Sequence, residues 1–265
     1  MNSPDFPVPT PFQRAAARIR IVLVGTQHPG NIGAAARALK TMGLPRLVLV
    51  DPEDYPAEEA FRRAAGADDL LAGAQVLPTL AEAVADCHFV LGCTARSRRV
   101  ALEEHVPRQA AERAVEAAAR GGEVALVFGR ERTGLSNEEL QLCHASVHIP
   151  ANPEYSSLNL AAAVQVLSYE LRLALLALDG APATGDDRHP DEAPASHAHL
   201  EGFFAQLGDT LDAIDFHKGR MPDSAMRKLR RLYLRANLNE QEVRLLRGIL
   251  ADAQRMARLA RGLPG

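Results

Sequence analysis

LVFGRERTGLSNEELQLCHASVHIPANPEYSSLNL, running from Leu126 to Leu160, holds two apolar runs that each empty into a polar loop rich in glycine or serine. The first run, Val124 to Phe128, opens into GRERTG, and the second, Val147 to Ile149, opens into PANPEYSSLN. Upstream, Ile19 to Val24 opens into GTQHPGNIGAAAR in the same manner, and Leu47 to Asp51 and Phe89 to Cys93 are further short apolar runs. Continuous apolar runs of this length are expected of strands buried on both faces. Helical stretches with recognisable starts lie between them. Thr79 with Glu82 and Ser136 with Glu139 have capping-box spacing, and Pro107 suits a first helical turn. The expected fold class is α/β, a parallel sheet with helices on both faces, and in such sheets ligands bind at the carboxyl ends of the strands.

Working outward from that core, Pro4, Pro7, Pro9 and Pro11 disfavour regular structure, so residues 1–17 are expected to be a flexible arm and 18–178 the α/β domain. DGAPATGDDRHPDEAPASHA, residues 179–198, has no apolar period and reads as a linker. Residues 199–265 are expected to form a small all-helical extension. In it Leu229, Leu232, Tyr233 and Ala236 share one helical face, and Asn239 with Glu242 caps a further helix.

The 265 residues are 47% apolar and 24% charged, which suits a soluble globular chain. Leu158 to Leu178 is long enough to span a bilayer, but Asn159, Gln165, Glu170 and Arg172 interrupt it, and each charge at a bilayer centre costs roughly 3 kcal/mol. A buried or interface helix is expected there, with no membrane association. Cys87, Cys93 and Cys143 lack CxxC spacing, so neither a disulfide framework nor a metal site is expected. No export signal is evident at the amino terminus, which points to the cytoplasm. The net charge of −3 is unevenly placed: His217 to Gly265 holds twelve Lys/Arg against four Asp/Glu, or +8, leaving −11 elsewhere. A basic helical tail on an acidic body suits a polyanion such as RNA, and Arg227, Lys228, Arg230, Arg231 and Arg235 are the candidate phosphate contacts. A solvated charged face is the alternative.

The loops carry the candidate chemistry. In Asn31-Ile-Gly33-Ala-Ala-Ala-Arg37, Gly30 and Gly33 allow close approach of a ligand or another chain, and Arg37 lies one turn beyond Gly33, able to hold a phosphate or stabilise an oxyanion. An incidental surface arginine is equally compatible. Thr94-Ala95-Arg96 ends a strand either as a ligand-binding turn or as a plain surface turn. In Gly129-Arg130-Glu131-Arg132-Thr133-Gly134 two glycines bracket a charged tetrapeptide, so Glu131 can bond exposed amides or a cation, or pair with Arg130 or Arg132. In Ile149 to Leu160, two prolines stiffen the turn, Ser156 and Ser157 sit where a helix would begin, and Asn159 falls inside its first turn.

Taken together and in this order, NIGAAAR, FGRERTGL and IPANPEYSSLNLAAAV resemble the three motifs of the SPOUT class of S-adenosylmethionine-dependent RNA methyltransferases. Within that class the chain is similar to the bacterial tRNA (cytidine/uridine) 2′-O-methyltransferases that modify the first nucleotide of the anticodon loop, position 32. RKLRRLYLRANLNEQEVRLLRGIL resembles their basic helical extension. The resemblance implies a carboxyl-terminal trefoil knot, which no periodicity would suggest. It also implies S-adenosyl-L-methionine as cofactor, held by Thr94, Ala95, Arg96, Gly129, Ile149, Ser156, Ser157 and Leu158, with Glu131, Gly134 and Asn159 organising the pocket. It implies a homodimer in which Asn31 and Arg37 of one subunit complete the partner's pocket, and a tRNA anticodon stem-loop as the bound RNA. Arg37 is a poor literal base, its pKa exceeding about 12, so its implied catalytic role is to stabilise the emerging alkoxide and clamp a phosphate. The competing readings are a non-catalytic RNA-binding protein on the same scaffold, and a nucleotide-binding α/β enzyme using Gly25 and Asp51, whose turn His28-Pro29 disrupts.

Overall fold

All six residues of Ile19–Val24 (β1) are buried, as are all five of Val124–Phe128 (β6). These are central strands, and successive side chains serve two different cores. Ile19, Ile21 and Leu23 join Leu126 and Phe128 in one apolar cluster, while Val22 and Val24 join Ala125 and Val127 in the other. The alternation follows the pleat, which turns each neighbouring side chain to the opposite face.

The computed structural model describes residues 9–95, 102–179, 194–218, 222–260 and 262. Two compact units divide at residues 185 and 186. The first contains a sheet of seven strands: β1, Arg46–Val50 (β2), Gln75–Leu77 (β3), Phe89–Cys93 (β4), Glu103–His105 (β5), β6 and Ala145–Val147 (β7). Every pairing is parallel, in the order β3-β2-β1-β6-β4-β7-β5. Its helices are Pro11–Ala16 (α1), Pro29–Met42 (α2), Glu58–Ala64 (α3), Asp68–Ala72 (α4), Leu80–Ala83 (α5), Pro107–Ala119 (α6), Asn137–Gln141 (α7) and Leu160–Asp179 (α8). Helices α1, α2, α6 and α8 supply residues to one core, and α5 and α7 to the other, so both faces of the sheet are covered. The expected α/β class is the observed one.

Several details differ from the sequence expectation. Part of the expected flexible arm is helix: Thr10 caps α1 with a reciprocal Gln13 capping box, Pro11 occupies the first turn, and Ala15 and Ala16 are buried. Residues 1–8 lie outside the described residues. The strand expected at Val147 to Ile149 is β7, shifted to Ala145–Val147, because those residues match Leu91 to Cys93 of β4 in register. Strands β3 and β5 were not anticipated. Both are three-residue sheet edges with exposed positions. Of the expected linker, Asp179 belongs to α8 and accepts a hydrogen bond from the Phe12 amide at 3.0 Å, His197 opens the next helix, and residues 180–193 lie outside the described residues.

Helix α8 is long and apolar enough to cross a membrane by length and composition. Its Val164, Leu167, Ser168, Leu171 and Leu175 are instead fully buried, and the helix packs on α1, α2 and α6. Tyr169, Leu173 and Leu176 remain exposed as a stripe at helical spacing.

The second unit holds His197–Ala213 (α9), Pro222–Arg235 (α10) and Glu240–Ala260 (α11) around a core of its own. Phe203 meets Tyr233 edge-on at 4.9 Å. Asn239 and Glu242 exchange the expected capping bonds, both at 2.8 Å.

Candidate active site

The carboxyl ends of β4, β6 and β7 surround a cleft of about 190 Å³. Its apolar floor comes from the last residues of those strands, Cys93, Phe128 and Val147, with Ile149, Leu160 and Ala163 behind them. The rim is polar: Thr94 and Ala95 follow β4, Gly129 and Glu131 to Gly134 follow β6, and Ser156 to Leu158 precede α8. Burial pushes the Cys93 thiol well up, so it stays neutral.

The loop after β6 depends on its two glycines. A side chain on Gly129 would place its Cβ 2.2 Å from the Gly134 carbonyl carbon, and Gly134 itself has φ +67, in the left-handed region. The Gly134 amide closes the loop onto the Arg130 carbonyl at 2.8 Å. No other residue type fits both places without strain.

That tight loop turns Glu131 back toward the end of β1. Its carboxylate accepts from the Gln27 amide at 3.0 Å, the His28 amide at 3.2 Å and the Asn31 side-chain amide at 2.8 Å. Partial burial raises the Glu131 pKa, but the bonds from Asn31, Gln27 and His28 outweigh it and hold the carboxyl below its ordinary value. Asn31 in turn accepts from Asn159 at 3.0 Å, and Asn159 Oδ1 accepts from the Ala161 and Ala162 amides at 2.9 and 3.3 Å. Three segments far apart in sequence are thereby tied into one frame. Arg130, which could have paired with Glu131, instead donates to Glu139, the residue that completes the α7 capping box on Ser136.

Thr94, Ala95, Gly129, Glu131, Gly134, Ile149, Ser156, Ser157 and Leu158, all singled out in the sequence, thus line one cleft, and Asn159 braces it. Arg96 lies outside the described residues. Asn159 is not within the first turn of α8: it stands just before Leu160 and caps the helix, a role Ser156 and Ser157 do not take. Asn31 is bonded within its own chain to Glu131 and Asn159. Arg37 is exposed on α2 and does not line the cleft of its own chain. Gly33 serves packing: a Cβ there would lie 2.0 Å from the Ala60 carbonyl oxygen, so it lets α2 touch α3. The sequence does not single out the floor residues Cys93, Phe128 and Val147, although Cys93 and Phe128 directly precede the loops at Thr94 and Gly129.

The alternative nucleotide turn, at Gly25, is covered by a side chain. Gly25 has φ +57 and lies under Arg130, whose Nε would sit 2.7 Å from an added Cβ, so the Arg130 side chain covers the end of β1 where that turn would lie.

In the helical unit, Arg227, Lys228, Arg231 and Arg235 are exposed on α10. Arg230 differs. Its guanidinium makes a two-point ion pair with Glu201 and stacks 4.6 Å over the Phe204 ring, with only 18% of the side chain exposed. It holds α10 to α9 and is not free to meet a phosphate.

Residues 18–169 match the model of the SpoU rRNA Methylase family, and residues 198–262 match that of the tRNA methyltransferase TrmJ, C-terminal domain. The chain is 49% identical to the tRNA (cytidine/uridine/adenosine-2′-O-)-methyltransferase TrmJ of Pseudomonas aeruginosa, over 91% of this chain and 95% of that protein. It is also 49% identical to the tRNA (cytidine/uridine-2′-O-)-methyltransferase TrmJ of Salmonella typhimurium, over 89% and 96% respectively. Among solved structures it resembles TrmJ from Z. mobilis ZM4, with a TM-score of 0.73, 37% identity, and coverage of 88% of this chain and 97% of that one. On the sheet order, the converging loops and these matches, the chain belongs to the SpoU methylase family.

Proposed function

We propose that this protein is a tRNA 2′-O-methyltransferase that uses S-adenosyl-L-methionine to methylate the ribose of cytidine or uridine at position 32, the first nucleotide of the anticodon loop. The observation that carries the reading is the convergence of three loops on one cleft whose lining suits that cofactor. The donor presents a flat base, hydroxyls and a cationic centre. The cleft offers an apolar floor from Cys93, Phe128, Val147 and Ile149, hydroxyls from Thr94, Ser156 and Ser157, and one carboxylate, Glu131. When bound there, the cofactor supplies an electrophilic methyl group.

The residues of the chain account for the rest of the chemistry. The 2′-hydroxyl must lose its proton as its oxygen gains the methyl, and Glu131 is a poor acceptor because its oxygens already take three hydrogen bonds and its pKa is held down. Its role is to position the loop after β6, together with Asn31 and Asn159. Arg37 of the partner subunit is assigned to the developing alkoxide and adjacent phosphate, and the proton leaves to solvent. Orientation in such a site is worth roughly 7 to 11 kcal/mol in favourable systems, so a strong base is not required for most of the acceleration.

The homodimer in this reading is supported by the exposed stripe of Tyr169, Leu173 and Leu176 on α8, an apolar face of the kind that marks an interface. Residues 18–178 form the catalytic domain, with the segment after β6 threaded as a trefoil knot. Residues 199–265 grip the anticodon stem-loop region through Arg227, Lys228, Arg231 and Arg235. The enzyme works in the cytoplasm, where its substrate is. Calorimetry tests the reading: tight S-adenosylhomocysteine binding with no response to NAD or ATP is expected, and a response to either nucleotide in its place would refute it.

A further inference from the structure

The corner where α9 gives way to α10 carries a cavity of about 580 Å³ that belongs to the helical unit alone. Ile214 and Phe216 form much of its floor and are 48% and 50% exposed, although neither is needed by the core of that unit. The Phe216 backbone is held in place. Its amide donates to the Leu211 carbonyl at 2.9 Å, and the ring stands edge-on to His217 at 5.5 Å and 80°. The His217 side chain is 10% exposed, with Nε2 3.6 Å from Asp212 Oδ1, and it stands beside the phenyl ring. Asp215 and Lys218 on either side have left-handed φ of 53° and 47°, and Asp215 ends α9 just past its C-cap Ile214.

Above this apolar floor stand Lys218, Lys228 and the Ser224 hydroxyl, with Asp215 as the one carboxylate. A free anion would use the ammonium groups and leave the phenyl ring without a purpose. An exposed aromatic face flanked by lysines suits an unstacked nucleotide, whose base lies on the ring while its phosphates meet the cations. We infer that this corner is a second RNA subsite, which takes one unpaired nucleotide of the acceptor RNA on Phe216 with neighbouring phosphates at Lys218 and Lys228. The inference rests on the RNA-methylating reading above and adds to it a base-stacking contact in the helical unit.

Fluorescence anisotropy with the full chain and a labelled, unmodified tRNA transcript bearing a pyrimidine at position 32 tests it. Phe216→Ala should weaken binding roughly ten-fold with an unchanged salt slope, because stacking releases no counterions. Phe216→Tyr should restore affinity. Lys228→Gln should lower the salt slope by about one. Phe216→Leu keeps apolar volume without the aromatic face, so a loss in this variant as well separates stacking from damage to the fold, which circular dichroism monitors. Unchanged affinity in Phe216→Leu, with the unaltered protein binding tRNA, overturns the subsite alone. Failure of the unaltered protein to bind tRNA overturns the RNA reading itself.

Discussion

The side-chain amide of Asn159 donates to Oδ1 of Asn31 at 3.0 Å, joining the start of α8 to the start of α2 across 128 residues of sequence. Each partner has a second commitment: Asn31 donates to Glu131, and Asn159 caps α8 through its other side-chain atom. The two residues should therefore behave as one unit. A double-mutant cycle with Asn31→Ala and Asn159→Ala is expected to give a coupling energy of about 0.5 to 3 kcal/mol in chemical denaturation. Asn159→Asp should keep the cap, whose loss typically costs about 1 kcal/mol, and lose only the bridge. Additive effects in the cycle would mean that the bridge contributes nothing.

Glu131 gives the frame a pH signature. Its folded pKa lies below the ordinary value of 4.5, so the stability it contributes is fully present above about pH 4.5 and fades as pH falls through the folded value. Glu131→Gln should cost about 1.5 to 3 kcal/mol at neutral pH, the range for hydrogen bonds to a charged group. Denaturant melts from pH 7 to pH 3 should show the gap between the two proteins closing on the acid side. A gap of constant size would place the effect in shape and not in charge.

Arg37 makes no side-chain contact with the cleft of its own chain, so its removal should leave the fold and the donor pocket intact. Arg37→Ala is expected to abolish methyl transfer while stability stays within about 0.5 kcal/mol, as for exposed positions generally. S-adenosylhomocysteine titration should report near-normal affinity. Parallel loss of donor affinity and transfer would show that Arg37 builds the pocket.

Two adjacent arginines on α10 should part company. Arg230, paired with Glu201 and stacked on Phe204, is expected to cost about 1 to 3 kcal/mol of stability when changed to Ala. Arg231 is exposed, and Arg231→Ala should leave the melting curve in place while lowering the salt slope of tRNA binding by about one. Thermal melts and binding isotherms at several salt concentrations separate the two outcomes.

How far the sequence discloses this molecule follows from the range of the interactions involved. β1, β2, β4 and β6 are legible because burial on both faces writes a continuous apolar run. Gln75–Leu77 and Glu103–His105 are not, since an exposed edge strand carries Glu and Gln as readily as a loop does. The cleft-lining loops are visible through local chemistry: glycines at Gly129 and Gly134, serines at Ser156 and Ser157. The frame linking Glu131, Asn31 and Asn159 is invisible locally, because Asn31 lies 100 residues from Glu131 and 128 from Asn159 until the sheet forms. Arg230 and Arg231 are equivalent by composition, and only the packing of α9 against α10 sets them apart. The capped α1 was hidden by the prolines around it, one of which in fact starts the helix.

The most direct test of the central claim is mass spectrometry of nucleosides from tRNA incubated with the purified protein and S-adenosylmethionine carrying an isotopically labelled methyl group. The expected result is label on the ribose of 2′-O-methylcytidine or 2′-O-methyluridine, mapped by nuclease fragments to position 32. Label on a nucleobase, or no label in any fragment, would contradict the account.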